Sequence, residues 1–264
     1  MPFTISHAAA VLPFSRLLAR WRLLSAVVIG FMVPDFGLFL PWRMYRVETH
    51  SMTALFTFCL PVGLAAYWVF QYLIKAPVLE VLPEGAYARW RPYSSPAHFA
   101  SIRQWILVAL GVLAGAVTHL VWDNFTHENT RGVRLVPWLE EPIDIGTHHL
   151  DGVRLLQDGS SLIGLAVVLG LIVYGLRPGG AQPVRPRPLR PAERWFWVAV
   201  YVVAAVALSA LWWQSEPAAH SLALAANRLA VAALRGLAMA LVCTSLVLDW
   251  RLRALGVSSA RRAS

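Results

Sequence analysis

Residues 105–127 read WILVALGVLAGAVTHLVWDNFTH. From Trp105 to Thr118 there is no charged side chain; then His119, Asp123 and His127 follow one another at intervals of four. An apolar run of about 20 residues is the length that crosses the ~30 Å hydrocarbon core of a bilayer as a helix. Residues four apart share a helix face, so the three ionisable groups form one polar stripe at one end of a span. Such groups are costly at membrane depth and are kept there for a task. The segment therefore predicts a helical membrane protein with a polar site near one membrane face.

Working outward, five more runs have the same character: Leu23–Leu40, Met52–Ile74, Leu162–Leu176, Trp195–Trp213 and Leu222–Leu248. The composition agrees. Of 264 residues 58% are hydrophobic and 14% are charged, against about 25% charged in a soluble domain. Long disordered tracts are excluded by the same composition. The expected fold is all-α, a multi-pass transmembrane bundle of about six spans. A short N-terminal membrane helix within residues 2–18 is expected to turn at Arg16–Arg22 and pair with the first span. The two cysteines, Cys59 and Cys243, lie in apolar runs without metal-ligand spacing and read as small buried hydrophobes.

The net charge is +9, almost all of the positive charge being arginine. The arginines sit in short loops between apolar runs, which the positive-inside rule explains better than nucleic-acid binding. It places residues 16–22, 75–103, 177–194 and the C-terminus in the cytoplasm, and 41–49, 126–159 and 214–221 outside. The expected location is the inner cell membrane. By composition the chain divides into a membrane domain, 1–176, a Pro/Arg-rich cytoplasmic linker, 177–194, and a C-terminal helix pair with a basic tail, 195–264. No nucleic-acid partner is expected; the lipid bilayer is.

Two further groups fall at the level of the His119 stripe. Asp35 follows Pro34 inside an apolar run, and His50 lies at the outer start of the second span. A turn near position 21 puts His7 and Asp35 equally far along a helical hairpin, each ~21 Å away at ~1.5 Å per residue. Imidazole and carboxylate are ordinary ligands of Zn²⁺ and Mn²⁺. The expected metal set is His7, Asp35, His50, His119 and Asp123, with His127 as an outlying sixth, and Asp35 or Asp123 is the candidate general base. Ser160 is expected to cap the fourth span. Asn227 and Arg235 read as helix–helix contacts, and His148–His149 as a solvated loop pair.

Five motifs in order, MPFTISHAAAVLPFSR, VPDF, THS, THLVWDNFTH and LLQDGSSLIG, resemble a bacterial membrane family catalogued as domain of unknown function 4184. The resemblance runs from Met1 to about Tyr174. That family looks distantly similar to inner-membrane proteins described as membrane-bound metal-dependent hydrolases. These share an N-terminal His, a Pro-Asp, a Thr-His-Ser and a His-x-x-x-Asp helix. The resemblance implies His7, Asp35, His50, His119 and Asp123 as site positions. It also implies hydrolysis of an ester or phosphoester, on a lipid-linked substrate, at the outer membrane–water interface. The chain departs from the hydrolases at Asp35-Phe36-Gly37, where they carry Asp-x-Asp-His, and so has one carboxylate and one imidazole fewer. A second class stands beside this one: a non-catalytic membrane protein, either a metal-stabilised scaffold or a small transporter. A transporter calls for polar residues continuing inward, and here the inner halves of the spans are apolar.

Overall fold

The computed structural model describes residues 6, 8–40, 44–91, 101–145, 148–177, 187–216 and 219–255. A 3₁₀ stretch, Ala8–Phe14, leads into α1, Ser15–Arg20. The chain reverses at Trp21–Arg22, with Arg22 at φ 57°, and enters α2, Leu24–Met32, which tightens into a 3₁₀ stretch, Val33–Phe39. The short α3, Arg46–Thr49, precedes α4, Leu55–Val81, which contains π turns at Leu55–Cys59 and Phe70–Ile74. There follow α5, Glu84–Trp90, α6, Ile102–Thr126, and α7, Arg131–Leu135. An antiparallel hairpin, β1 Pro142–Ile145 and β2 His148–Asp151, interrupts the helices. Then come α8, Gly152–Leu176, α9, Pro191–Ser215, and α10, Leu222–Ala254.

The fold is the expected helical bundle. Five helices, α4, α6, α8, α9 and most of α10, are long and apolar enough to cross a membrane. The expected span Leu23–Leu40 is a shorter apolar helix, Leu24–Phe39. Its α-helical part ends at Met32 because Pro34 cannot donate the next backbone hydrogen bond, and the chain continues as 3₁₀. The fourth span starts at Gly152 rather than Leu162. Ser160 is therefore no cap. Ser160 and Ser161 lie within the helix and donate their hydroxyl hydrogen bonds to the Gln157 carbonyl, at 3.1 and 2.7 Å. Back-bonding of this kind lets a helix carry polar residues without breaking.

The chain divides into two compact units, Met1–Tyr67 with Phe99–Leu171, and Trp68–His98 with Ile172–Ser264. In the first, α2 packs on α6 with backbone against backbone. A Cβ added to Gly30 would lie 2.2 Å from the Val112 carbonyl oxygen, and one on Gly115 would lie 2.3 Å from that of Val27. Only glycine permits this approach. Val11 packs with Val27 and Phe31, so the N-terminal turn closes onto α2 as the expected hairpin. Val33, Ala54, Leu55, Phe58, Cys59 and Ala116 form the adjoining core.

In the second unit Arg235 donates to Glu216 Oε1 at 3.0 Å and lies over the Trp212 ring, as its helix–helix role requires. Asn227 is exposed instead. From the segment expected as a linker, Arg187 is 4% exposed in its side chain. It donates to the carbonyls of Leu79, Glu80 and Leu82 and stacks on Tyr87. They lie at the end of α4, where carbonyls run out of intrahelical donors, although that of Leu79 also accepts from the Leu82 N–H at 3.2 Å. Residues 178–186 of that segment and the basic tail beyond 255 lie outside the described residues.

Substituting Gly115→Ala should destabilise the protein by about 1–3 kcal/mol through overpacking. Gly159→Ala should leave stability unchanged or raise it by up to about 1 kcal/mol, because nothing lies within 4 Å of the position its Cβ would take and alanine favours the helix. Thermal unfolding in mild detergent reads both, and equal midpoints would contradict the close α2–α6 contact.

Candidate metal centre

Three segments of the first unit bring side chains to one point. Asp35 comes from the 3₁₀ turn that Pro34 opens. His50 follows α3, which is held by the Glu48 carboxylate accepting from the Tyr45 backbone N–H at 2.6 Å and by the His50 N–H donating to the Arg46 carbonyl at 2.7 Å. His119 and Asp123 are one turn apart near the end of α6, as their spacing predicts.

The side chains of His119 and Asp123 are 1% and 5% exposed, those of His50 and Asp35 9% and 13%. One ligand atom from each of Asp35, His50 and His119 falls within 4.8 Å of the other two. With Asp123 the atoms make a closed ring. Asp35 Oδ1 lies 3.3 Å from His50 Nε2, which lies 3.6 Å from Asp123 Oδ2. That oxygen lies 3.5 Å from His119 Nε2, which lies 3.8 Å from Asp35 Oδ1. Adjacent ligands held ~2.0–2.2 Å from one ion, at tetrahedral or octahedral angles, are ~2.8–3.6 Å apart. Shifts of a few tenths of an ångström would close the ring onto a cation.

Each ring has a hydrogen-bond partner on its far side. His119 Nδ1 lies 2.6 Å from the Phe31 carbonyl oxygen, which can only accept. His119 therefore carries a proton on Nδ1, and its Nε2 faces the carboxylates. Phe31 can make this bond because Gly30 and Gly115 let the two helices touch. His50 Nδ1 lies 2.7 Å from Thr49 Oγ1, whose hydroxyl donates to the Arg46 carbonyl at 3.5 Å. The hydroxyl holds the ring so that His50 Nε2 faces Asp35 and Asp123. Orienting partners of this kind are what metal-bound imidazoles have. His50 Nε2 and Asp123 Oδ1 are buried without a hydrogen-bond partner among the described residues.

Arg46 was not singled out by the sequence. Its Nη2 donates to Asp123 Oδ2 at 2.7 Å, while its side chain remains 48% exposed. The available signal was its position four residues before His50, at the start of the short helix that His50 follows. His127 does not join the ring. Its Nδ1 lies 3.2 Å from the Asp123 carbonyl oxygen and 3.7 Å from Asp123 Oδ1, so it buttresses Asp123 from behind. Burial pushes the His127 imidazole below its ordinary pKa, against the pull of the Asp123 carboxylate. His7 lies outside the described residues. His148 and His149 fall on β2.

The model of the family described as Domain of unknown function (DUF4184) matches residues 1–246, and the chain belongs to that family. The match continues past Tyr174 into α10, so the C-terminal helices are part of it. No curated protein and no solved structure matches the chain. The family description carries no activity, so function has to be argued from the site.

In metal-free protein, long-range ¹⁵N–¹H correlation spectra should show His119 protonated on Nδ1, where it meets the Phe31 carbonyl. A His119 ring protonated on Nε2 alone would contradict the assignment.

Proposed function

We propose that the chain is a membrane-embedded hydrolase using one divalent cation, Zn²⁺ or Mn²⁺, and acting on an ester or phosphoester of a lipid-linked substrate. One observation carries this reading: two imidazole nitrogens and two carboxylates converge in a space largely shielded from water. Two carboxylates held that close in a buried space are costly unless positive charge offsets them. Two neutral imidazoles with carboxylate oxygens form a common Zn²⁺ or Mn²⁺ donor set. Asp35, His50 and His119 are the ligands, with Asp123 Oδ2 facing the same ion.

The site also lies at the ends of its helices. Asp123 is near the last residue of α6, His50 precedes α4, and Asp35 is past the end of α2. That is the level at which a lipid headgroup meets water. The arginine distribution puts this level on the outer face of the inner membrane, with the C-terminus cytoplasmic.

A divalent ion there lowers the pKa of water in its coordination sphere and draws charge off the scissile group. The residues supply the rest. Asp123, steadied by Arg46 and His127, takes the proton of the attacking water. The water oxygen bonds to the acyl carbon or phosphorus, the ester C–O or P–O bond breaks, and the proton passes to the leaving oxygen. Asp35 supplies a charged ligand, and the two histidines stay neutral. A metal-stabilised scaffold is the second reading. It is favoured by Asp35-Phe36-Gly37, which offers one carboxylate fewer than a two-metal site needs.

Elemental analysis of the full chain in mild detergent should find about one ion per chain in wild type and none in His119→Ala. Asp35→Asn should lose the ion. Asp123→Asn should keep most of it and lose hydrolysis of phospholipid or polyprenyl-phosphate substrates. Absence of a bound ion in wild type would overturn the metal site. A bound ion with no turnover across that panel would overturn the hydrolase in favour of the scaffold.

A further inference from the structure

We infer that Arg46 is the anion-binding residue of this site, and that the substrate carries a phosphate group at the bond to be cut. The inference rests on the metal-site reading above and narrows its substrate class.

Arg46 differs from every other side chain in the cluster in spanning its boundary. The guanidinium touches the 5%-exposed Asp123 at 2.7 Å, yet the Arg46 side chain is 48% exposed. Its exposed guanidinium puts a cation between Asp123 and solvent. The groups facing Asp123 are Arg46, His50, His119 and His127, and Asp35 faces the two ring histidines. With a divalent ion held by neutral imidazoles, the ion, one guanidinium and two carboxylates would leave the cluster one positive charge in excess, and Arg46 is where the cluster meets solvent. An anion is then attracted to that side. A carboxylic ester has no charge at the bond to be cut, whereas a phosphoester has one.

The geometry also gives Arg46 a means of exchange. The oxygen it holds, Asp123 Oδ2, is the one that faces both imidazole nitrogens. Cation and guanidinium thus draw on the same carboxylate oxygen. When the ion takes a larger share of that oxygen, the planar fork of Arg46 can turn its donors to the oxygens of an incoming phosphate, a pairing that suits guanidinium better than ammonium. Arg46 on Asp123 closes the ion-free cluster; Arg46 on phosphate completes the loaded one.

The test is calorimetry on the full chain in mild detergent. Mn²⁺ is titrated first, then inorganic phosphate into Mn²⁺-loaded protein, with a single-chain lipid phosphate in mixed micelles as a second arm. Wild type should bind phosphate only when loaded. Arg46→Gln should weaken phosphate binding by about tenfold or more, the scale of one lost charge-assisted pair, while binding Mn²⁺ as tightly as wild type or tighter. Arg46→Lys should fall between them, and it keeps the test valid if the glutamine variant misfolds. Tighter binding of the lipid phosphate than of inorganic phosphate identifies a headgroup as the source; equal binding identifies a free phosphoester. Loaded wild type that ignores both forms of phosphate, or Arg46→Gln that binds them like wild type, would overturn the inference and leave the metal site standing. A tenfold or greater loss of Mn²⁺ affinity in Arg46→Gln would overturn it too, making Arg46 a support for Asp123 alone. Failure of wild type to bind Mn²⁺ would overturn the metal site and this inference together.

Discussion

Two imidazole nitrogens and two carboxylate oxygens gathered in a mostly buried space are the constraint on which the first unit of this protein depends. Burying ionisable groups together is costly in typical proteins unless their charges are offset, so the surrounding fold must hold them in place. The holding is visible residue by residue. Gly30 and Gly115 let α2 and α6 meet at backbone distance, which puts the Phe31 carbonyl within reach of His119. With Pro34 ahead, the α-helix ends at Met32, one residue after that contact, and the 3₁₀ turn that follows carries Asp35. Thr49 does for His50 what Phe31 does for His119.

Arg46 supplies part of the offset from the solvent side. A guanidinium that is half exposed keeps much of its hydration, so its pair with Asp123 costs less to form than a fully buried one. The half-exposed guanidinium thus joins the buried cluster to solvent.

Much of this was legible in the sequence. The four-residue spacing of His119 and Asp123 on an apolar helix placed them on one face, and the hairpin about Trp21–Arg22 was readable from a cluster of arginines after a short apolar run. Asp35 and His50 were legible as costly groups beside apolar spans. What escaped has physical reasons. Arg46 looked like one more loop arginine, because its role depends on a contact across the fold with a residue far along the chain. Ser160 looked like a cap, because nothing local tells a capping hydroxyl from one that bonds back within a helix. The first apolar run looked long enough to span, and Pro34 shortens it. Arg187 lay in a segment whose prolines read as a linker, yet the open carbonyls at the end of α4 give its guanidinium a buried place. His127 shared the face of His119 and Asp123, but two turns along a helix carry it past the ion and behind the carboxylate.

The central claim is that Asp35, His50, His119 and Asp123 surround one divalent cation. X-ray absorption at the zinc edge, on the full chain reconstituted with one equivalent of Zn²⁺ in detergent, tests it most directly. The account predicts a first shell of nitrogen and oxygen at about 2.0–2.1 Å, with the outer-shell scattering of two imidazoles, reduced to one in His50→Ala. A shell of oxygen alone, imidazole scattering unchanged in His50→Ala, or zinc that washes away from the wild-type chain would contradict it.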